Sequence, residues 1–484
     1  MAEGRKPGRK SASEALTSRE LLYDGLALMA DPIHGYISFT APLEHREEAT
    51  EKDLIDSPWM QRLRYVNQLQ SARWVYPSAE HSRFVHSVGA MHVAGRFARH
   101  LYPSLREIAP ACPSANFIEE LLRVSVLLHD VGHGPFCHFF DDNFLDRYGL
   151  THEKLGQAII TEGVAKILTG MRRGPGGPFE AGEQLDPAQI AYLIGKDTSE
   201  RAPKGTPPWL VSIKPLFSGV YTADNLDYVL RDSYMCGVAI GPVDLNRLIH
   251  YTFLTPKGMT LHRAGLSALK MFLSARLYLY SNVYYHRTTR AIDLHLREIF
   301  RETIEQIFPF NPLERLGAYL DLTDWSLLQE VRSWVSARSR RRAVLGMEWK
   351  KILEREVKWK MAYETTLSVS RAEKGRSVVE PHFLERQIRR DLPREISDLA
   401  FRVDMASQDP RPLNPLTMGH RQIYLYNPST QEVSKEALAE HFETLPAKVV
   451  VCRIFTLNHK NDALLSRIAD RVLASEEPSI HTNV

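Results

Sequence analysis

The chain has 484 residues, 44% hydrophobic and 25% charged, the composition of a soluble globular protein with a sizeable core and room for two or three domains. A net charge of +3 is too small to argue for nucleic acid by itself, and four scattered cysteines (Cys112, Cys137, Cys236, Cys452) with no CxxC spacing give neither a disulfide framework nor a zinc site and suit a reducing cytoplasm. No apolar run reaches membrane-spanning length, and the start MAEGRKPGRKSAS lacks the apolar core of a signal peptide.

Residues 1–20, with Arg5, Lys6, Arg9 and Lys10, read as a disordered basic tail. Asp31-Pro32-Ile33-His34-Gly35 predicts a turn into a short strand, Tyr36 to Thr40. Ser57 and Pro58 predict an N-cap followed by proline at the first helical position. Arg83-Phe84-Val85-His86 opens a helical run that also carries His92, Arg96 and His100.

The stretch Leu121 to Phe140 organises the chain. Leu121, Leu122, Val124, Val126, Leu127 and Leu128 predict a buried helix. It delivers His129 and Asp130 side by side to a bend at Gly132, Gly134 and Pro135, where His133, His138 and Asp141 gather. His138 and Asp141 are three apart, so on a helical turn the carboxylate can orient the imidazole and keep it protonated. Gly170 to Gly182 and Gly195 to Pro208 read as surface loops around a short helix, 187–195.

Further on, Leu269, Phe272, Leu273 and Leu277 recur at helical spacing and read as core, while Arg276, Tyr280 and Tyr284 step by four and share a face. The basic clusters Arg338 to Arg342 and Lys350 to Lys360 read as solvated helix faces. Arg421 to Tyr426 and Lys448 to Leu457 read as strands, and Asn461 to Leu473 as an amphipathic helix.

Imidazole and carboxylate together suit a first-row divalent metal. The order H…HD…D resembles the metal signature of the HD phosphohydrolase superfamily. That resemblance makes His86, His129, Asp130 and Asp224 the ligands of a divalent ion, with Mg, Mn, Fe, Zn and Co all open. Such an ion lowers the pKa of water and polarises a phosphoryl oxygen.

A closer resemblance follows from longer motifs. DPIHG, IDSPWMQRLRYVNQL, VYPSAEHSRFVHS, LLHDVGHGPFCHFFDD, THEKLG and TADNLDYVLRDSYMCG occur in one order. Together they are similar to the HD-family deoxynucleoside triphosphate triphosphohydrolases, the group that includes an animal enzyme with an added SAM domain. That domain is expected to be absent, since few residues precede DPIHG. The resemblance implies a mainly α fold: an all-helical HD domain over 21–310, a helical basic extension over 311–400, and a small α/β C-terminal lobe over 401–484.

It also implies the reaction, in which water attacks the α-phosphorus of a dNTP to give deoxynucleoside and inorganic triphosphate. On this reading His138 with Asp141 donates a proton, and His133 and His152 contact the α-phosphate. Arg83, Arg276 and Tyr228 hold phosphates, while Gln68 and Asp232 bond the 3′-hydroxyl. Leu69 and Tyr284 leave no room for a 2′-hydroxyl. Asn225 stands where the family's animal member has a triphosphate-contacting lysine, and Tyr280 where it has a histidine near the base, so base preference stays open. Asp56, Gln61 and Arg64 match residues that grip an activating nucleotide (GTP or a dNTP) between subunits, which implies a homodimer or tetramer. The alternatives are another HD-type nucleotide phosphohydrolase, or a nucleotide- or nucleic-acid-binding protein without turnover that uses the basic 338–360 region.

Overall fold

A computed structural model of the chain describes residues 24–43, 47–195, 203–369, 380–408, 423–435 and 448–475. The basic tail expected at 1–20 lies outside them, as do Arg421 and Gln422 of one expected strand. The fold is mainly α.

Two long helices, α1 (Arg83–Ile108) and α2 (Ala115–Leu128), lie against each other at the centre. Ser114 caps α2, its hydroxyl accepting from Phe117 N. From Phe117 to Leu128 every residue of α2 is buried, so this helix has no solvent face. Each large apolar side chain withdrawn here contributes on the order of 1.5–3 kcal/mol. The buried Arg123 is matched by Glu51, Nε to Oε1 at 2.6 Å.

Around this pair lie α3 (His138–Asn143), α4 (His152–Ala158), α5 (Ala223–Cys236), α6 (Leu266–Leu279) and α7 (Arg287–Ile307). The antiparallel hairpin β1 (Leu26–Asp31) and β2 (Gly35–Thr40) carries the DPIHG turn. The stretch 170–182, expected to be surface loop, is partly tied down. Arg173 is buried there, donating to Glu48 (2.6 Å) and to the carbonyls of Gly25 and Ala41.

Strands β3 (Thr252–Thr255) and β4 (Gly258–His262) form a hairpin. Residues 311–400, expected to be helical, also contribute β5 (Lys360–Val369) and then α8 (Pro381–Asp391). β6 (Phe401–Gln408), β7 (Tyr424–Asn427), β8 (Glu432–Ser434), β9 (Lys448–Thr456) and α9 (Asp462–Ser475) follow. β5-β9-β6 is an antiparallel sheet with its own core of Leu384, Ile388, Phe401, Ile454, Leu465 and Ile468. β7 instead joins the β3–β4 hairpin, parallel to β4, and Leu425 is buried in the main core. The C-terminal segment therefore feeds two cores.

Candidate active site

Four side chains from three elements converge at one end of α1. His86 comes from the first turn of α1, His129 caps α2 with Asp130 next to it, and Asp224 lies in the first turn of α5. Asp224 Oδ1 is 3.2 Å from His86 Nε2 and 3.6 Å from His129 Nε2. Asp130 Oδ1 is 3.3 Å from His129 Nε2, and its Oδ2 is 3.7 Å from His86 Nε2. Both Nε2 atoms are buried, yet neither makes a hydrogen bond. Their far nitrogens are committed: His86 Nδ1 donates to Asp227 Oδ2 (2.8 Å) and His129 Nδ1 to Val126 O (2.6 Å). Two orphaned imidazole nitrogens facing two carboxylates fit a divalent first-row ion, and tethering the outer nitrogen fixes the tautomer that presents the inner one.

Asp227 is a hub. It accepts from His86, from His34 of the DPIHG turn (2.7 Å) and from both Nε and Nη2 of Arg231, which reaches on to Asp31 (2.8 Å). A Cβ at Gly89 would stand 2.2 Å from Asp227 Oδ1, so glycine lets α5 close on α1 at this hub.

The bend after Asp130 is held from outside. Arg62 donates to the carbonyls of His133 (2.6 Å) and Leu322 (2.7 Å), and Tyr319 donates to Gly132 O (2.8 Å). Asp324 accepts from Asn67 N and Phe136 N. Phe136 and Cys137 take positive φ, 60° and 52°, a cost that these clamps sustain. Gly132 is required by close approach: a Cβ would lie 2.0 Å from His152 O.

Above the ligands a pocket of about 470 Å³ opens, lined by His129, Asp130, His138, His152 and Asp224 on one side and Gln68, Leu69, Tyr228, Asp232 and Tyr284 on the other. His133 stacks on His152, ring centres 3.7 Å apart. Asp141 Oδ2 lies 2.5 Å from His152 Nδ1 and 3.5 Å from His138 Nδ1. On the far side Asp232 takes His81 Nε2 (2.8 Å) on one oxygen and the Tyr284 hydroxyl (2.6 Å) on the other. The Gln68 Oε1 atom is buried without a hydrogen bond.

Comparison with known proteins accords with this geometry. Residues 83–191 match the HD domain and residues 243–357 the HD associated region. The chain therefore carries an HD domain in its N-terminal half. It is 28% identical over 56% of its length to an uncharacterized protein of Bacillus subtilis, covering 54% of that protein. To an uncharacterized protein of Methanocaldococcus jannaschii it is 31% identical, over 53% of this chain and 47% of the relative. The deoxynucleoside triphosphate triphosphohydrolase SAMHD1 of Gallus gallus is 29% identical over 64% of this chain and 52% of its own. The chain thus spans about half the length of these relatives. A crystal structure of a hypothetical protein from Aquifex aeolicus shares the fold, with TM-score 0.63 and 23% identity over 93% of this chain and all of that one.

Electrostatics divides this HD site in two. Burial works against the Asp130 and Asp227 carboxylates, yet the groups around them hold both well below the usual range: chiefly Arg83 for Asp130, and the hydrogen bonds from His34, His86 and Arg231 for Asp227. Burial also opposes a charged His86, but Asp224 and Asp227 push it up to about 10. A metal must therefore displace a proton there, which makes its binding weaken toward acid pH.

His133, which is buried behind His152 and does not line the pocket, is pulled far down by burial, with Arg83 and His152 adding to the effect. The expectation that Asp141 keeps His138 protonated needs correction. The His138 ring is 58% accessible, but it faces the confined pocket; those walls, with His152 and Arg83, lower its proton affinity more than Asp141 raises it. His152 is the imidazole held above its ordinary value, Asp141 and Glu153 overcoming burial.

Several other predicted residues are also engaged in specific ways. Arg83 lines the pocket but contacts Asp130 through Nη1 and Cys137 Sγ through Nε (2.8 Å). Arg276 does not line the pocket; its guanidinium lies 5.8 Å from the ring centre of Tyr280, which does, and its Nε is buried without a hydrogen bond. The four-residue step from Arg276 is interrupted, because Tyr280–Tyr284 form a single π-helical turn that keeps the Tyr280 and Tyr284 rings 4.9 Å apart. Asn225 is spent on capping α5, its Oδ1 accepting from Thr222 N at 2.7 Å. Asp56, Gln61 and Arg64 lie outside the pocket. Gln61 Oε1 accepts from Arg64 Nε (2.8 Å), and Arg64 covers the Phe84 ring.

Sequence reading gave no role to His34, Asp227 and Arg231, although all sit in the quoted motifs. The i, i+4 spacing of Asp227 and Arg231 was the available signal. It also missed His81, Arg62 and Asp324, which act through contacts distant in sequence.

Proposed function

We propose that this HD protein hydrolyses deoxynucleoside triphosphates to deoxynucleoside and inorganic triphosphate. The observation that carries this reading is the shared pocket: the Asp232–Tyr284 pair and Leu69 line the same cavity as His129, Asp130 and Asp224. The similarity to proteins named deoxynucleoside triphosphate triphosphohydrolases supports the substrate class.

His86, His129, Asp130 and Asp224 would hold the ion. When bound, a divalent ion supplies Lewis acidity, making water a stronger nucleophile at neutral pH and drawing charge from a phosphoryl oxygen. The protein's groups do the rest. Arg83 keeps Asp130 ionised and leaves Nη2 without a hydrogen bond, a donor suited to a phosphate oxygen. The Asp141–His152 pair stores a proton beside the departing 5′ oxygen, and His138, on the same carboxylate, passes it across the pocket mouth. Gln68 Oε1 is an unpaired acceptor and Asp232 a fixed carboxylate for the 3′-hydroxyl. Leu69 packs where a 2′-hydroxyl would enter and offers it no partner. Asp56, Gln61 and Arg64, exposed or half-buried on one surface, would bind an activating nucleotide between subunits.

The test is a product assay. Purified protein is incubated with each dNTP, with their mixture and with GTP, in Mg²⁺ and in Mn²⁺, and products are identified by mass spectrometry. Deoxynucleoside with intact triphosphate is expected. Monophosphate with pyrophosphate, or no turnover under any condition, refutes the reading.

A further inference from the structure

A second cleft, of about 720 Å³, adjoins the catalytic pocket. One wall is the face of α7 carrying Arg290, Leu294 and Arg297. The opposite wall is the face of α8 carrying His382, Glu385, Arg386 and Arg389, and β6 closes it with Arg402 and Asp404. Arg290 and Arg297 line both cavities, so the two share a wall.

The acids in this cleft are already used. Asp404 takes Nε and Nη2 of Arg290 on its two oxygens (2.9 and 2.5 Å). Glu385 pairs with Arg389 (3.3 Å), and Glu298 accepts from Lys358 and from Trp359 Nε1 (3.0 Å). Among the described residues, Arg297, Arg386 and Arg402 form no ion pair with a carboxylate. Arg402 is nonetheless positioned: its guanidinium lies 5.2 Å from the Trp359 ring centre and donates to Phe401 O. Three guanidiniums without an ion pair among the described residues thus face one cavity in a chain whose net charge is only +3. Like charges gathered in a concave site raise the local concentration of anions, and the guanidinium fork matches phosphate oxygens.

We propose that this cleft binds a polyphosphate anion, separately from the catalytic pocket. The shared chemistry is a chain of phosphates, supplied either as free inorganic triphosphate or as the tail of a nucleoside triphosphate. The proposal rests on the cleft's own charge and stands whether or not the catalytic pocket hydrolyses dNTPs.

The test is calorimetric titration of the full chain with inorganic triphosphate and, separately, with GTP, beside an Arg386→Gln/Arg402→Gln variant. Both side chains are exposed, and an unchanged melting temperature shows that the variant folds. The variant is expected to lose a triphosphate site seen in the native chain, or to weaken it by at least about tenfold, with turnover in the catalytic pocket unchanged. Equal affinity for GTP at that site assigns it to the phosphate chain alone; tighter GTP binding assigns it to a nucleoside triphosphate. Identical stoichiometry and affinity in native chain and variant overturn the proposal. So does a variant that loses binding only to single-stranded oligonucleotide.

Discussion

On the floor of the pocket His86 and His129 each commit one ring nitrogen to a fixed acceptor, Asp227 and Val126 O, and leave the other unbonded. On the wall Asp141 divides one carboxylate oxygen between His138 and His152, while neither nitrogen of His133 makes a hydrogen bond. The residue types are the same. The floor aims unbonded ring nitrogens at two carboxylates, an arrangement suited to a metal; the wall, on the proposed reading, holds a proton for a leaving oxygen. Second partners, more than residue identity, separate the two tasks.

Breaking the floor has the largest expected effect. His129→Ala and Asp130→Ala should each abolish divalent metal retention, measured by elemental mass spectrometry, and lower hydrolysis by at least about 10³-fold, since several kcal/mol of Lewis-acid stabilisation is lost. Full activity in a metal-free variant would show that the floor is structural.

Breaking the wall should cost less and leave the metal in place. Asp141→Asn is expected to lower turnover on the order of 10²-fold. It should also move the pH profile. Asp141 raises the His152 pKa, so removing its charge lets the imidazole deprotonate at lower pH, and the alkaline limb shifts to lower pH. An unmoved limb would place the essential proton elsewhere.

Asp227 allows a finer separation of holding from tethering. Asp227→Asn leaves all four proposed ligands but weakens the acceptor that orients His86, so metal affinity should fall roughly 10–100-fold. Excess metal should then restore the rate, which it cannot do for His129→Ala. A rate that excess metal leaves depressed, with a lowered melting temperature, would instead assign Asp227 to the fold through Arg231 and His34.

This contrast also explains what was legible in the sequence. The apolar run of α2 and the proline after Ser57 fixed local elements because their signals are local. The floor residues were named through the H…HD…D resemblance, and the structure brings the four together at helix ends. The Asp141–His152 pair was not legible, because the i, i+3 spacing pointed to His138, whereas Asp141 makes its shorter contact with His152, eleven residues away on another helix. The clamps on the bend, Arg62 and Asp324, were hidden for the same reason: a buried arginine or aspartate looks like any surface charge until its distant carbonyl or amide is known. The π-turn at Tyr280 likewise lies in a sequence with ordinary helical spacing.

The smallest expected effect lies across the pocket from both regions, at Leu69. Its side chain is 6% exposed and lines the cavity, and the next residue, Gln70, takes a positive φ of 48°. On the proposed reading selection here works by denying room, and a pocket that merely lacks space discriminates by about 1–3 kcal/mol, whereas a site left with an unpaired polar group discriminates far more. Leu69→Ala should therefore raise the kcat/KM of a ribonucleotide relative to its deoxy counterpart only about tenfold, with metal content and the alkaline limb unchanged. Tyr284 still narrows the site, because its hydroxyl is held by Asp232. Competition of dGTP against GTP in one vessel, read by product mass, measures that ratio directly. A ratio that stays fixed would move sugar selection from the Leu69 wall to the Asp232–Tyr284 pair, where Tyr284→Phe, by freeing one Asp232 oxygen, should then change it.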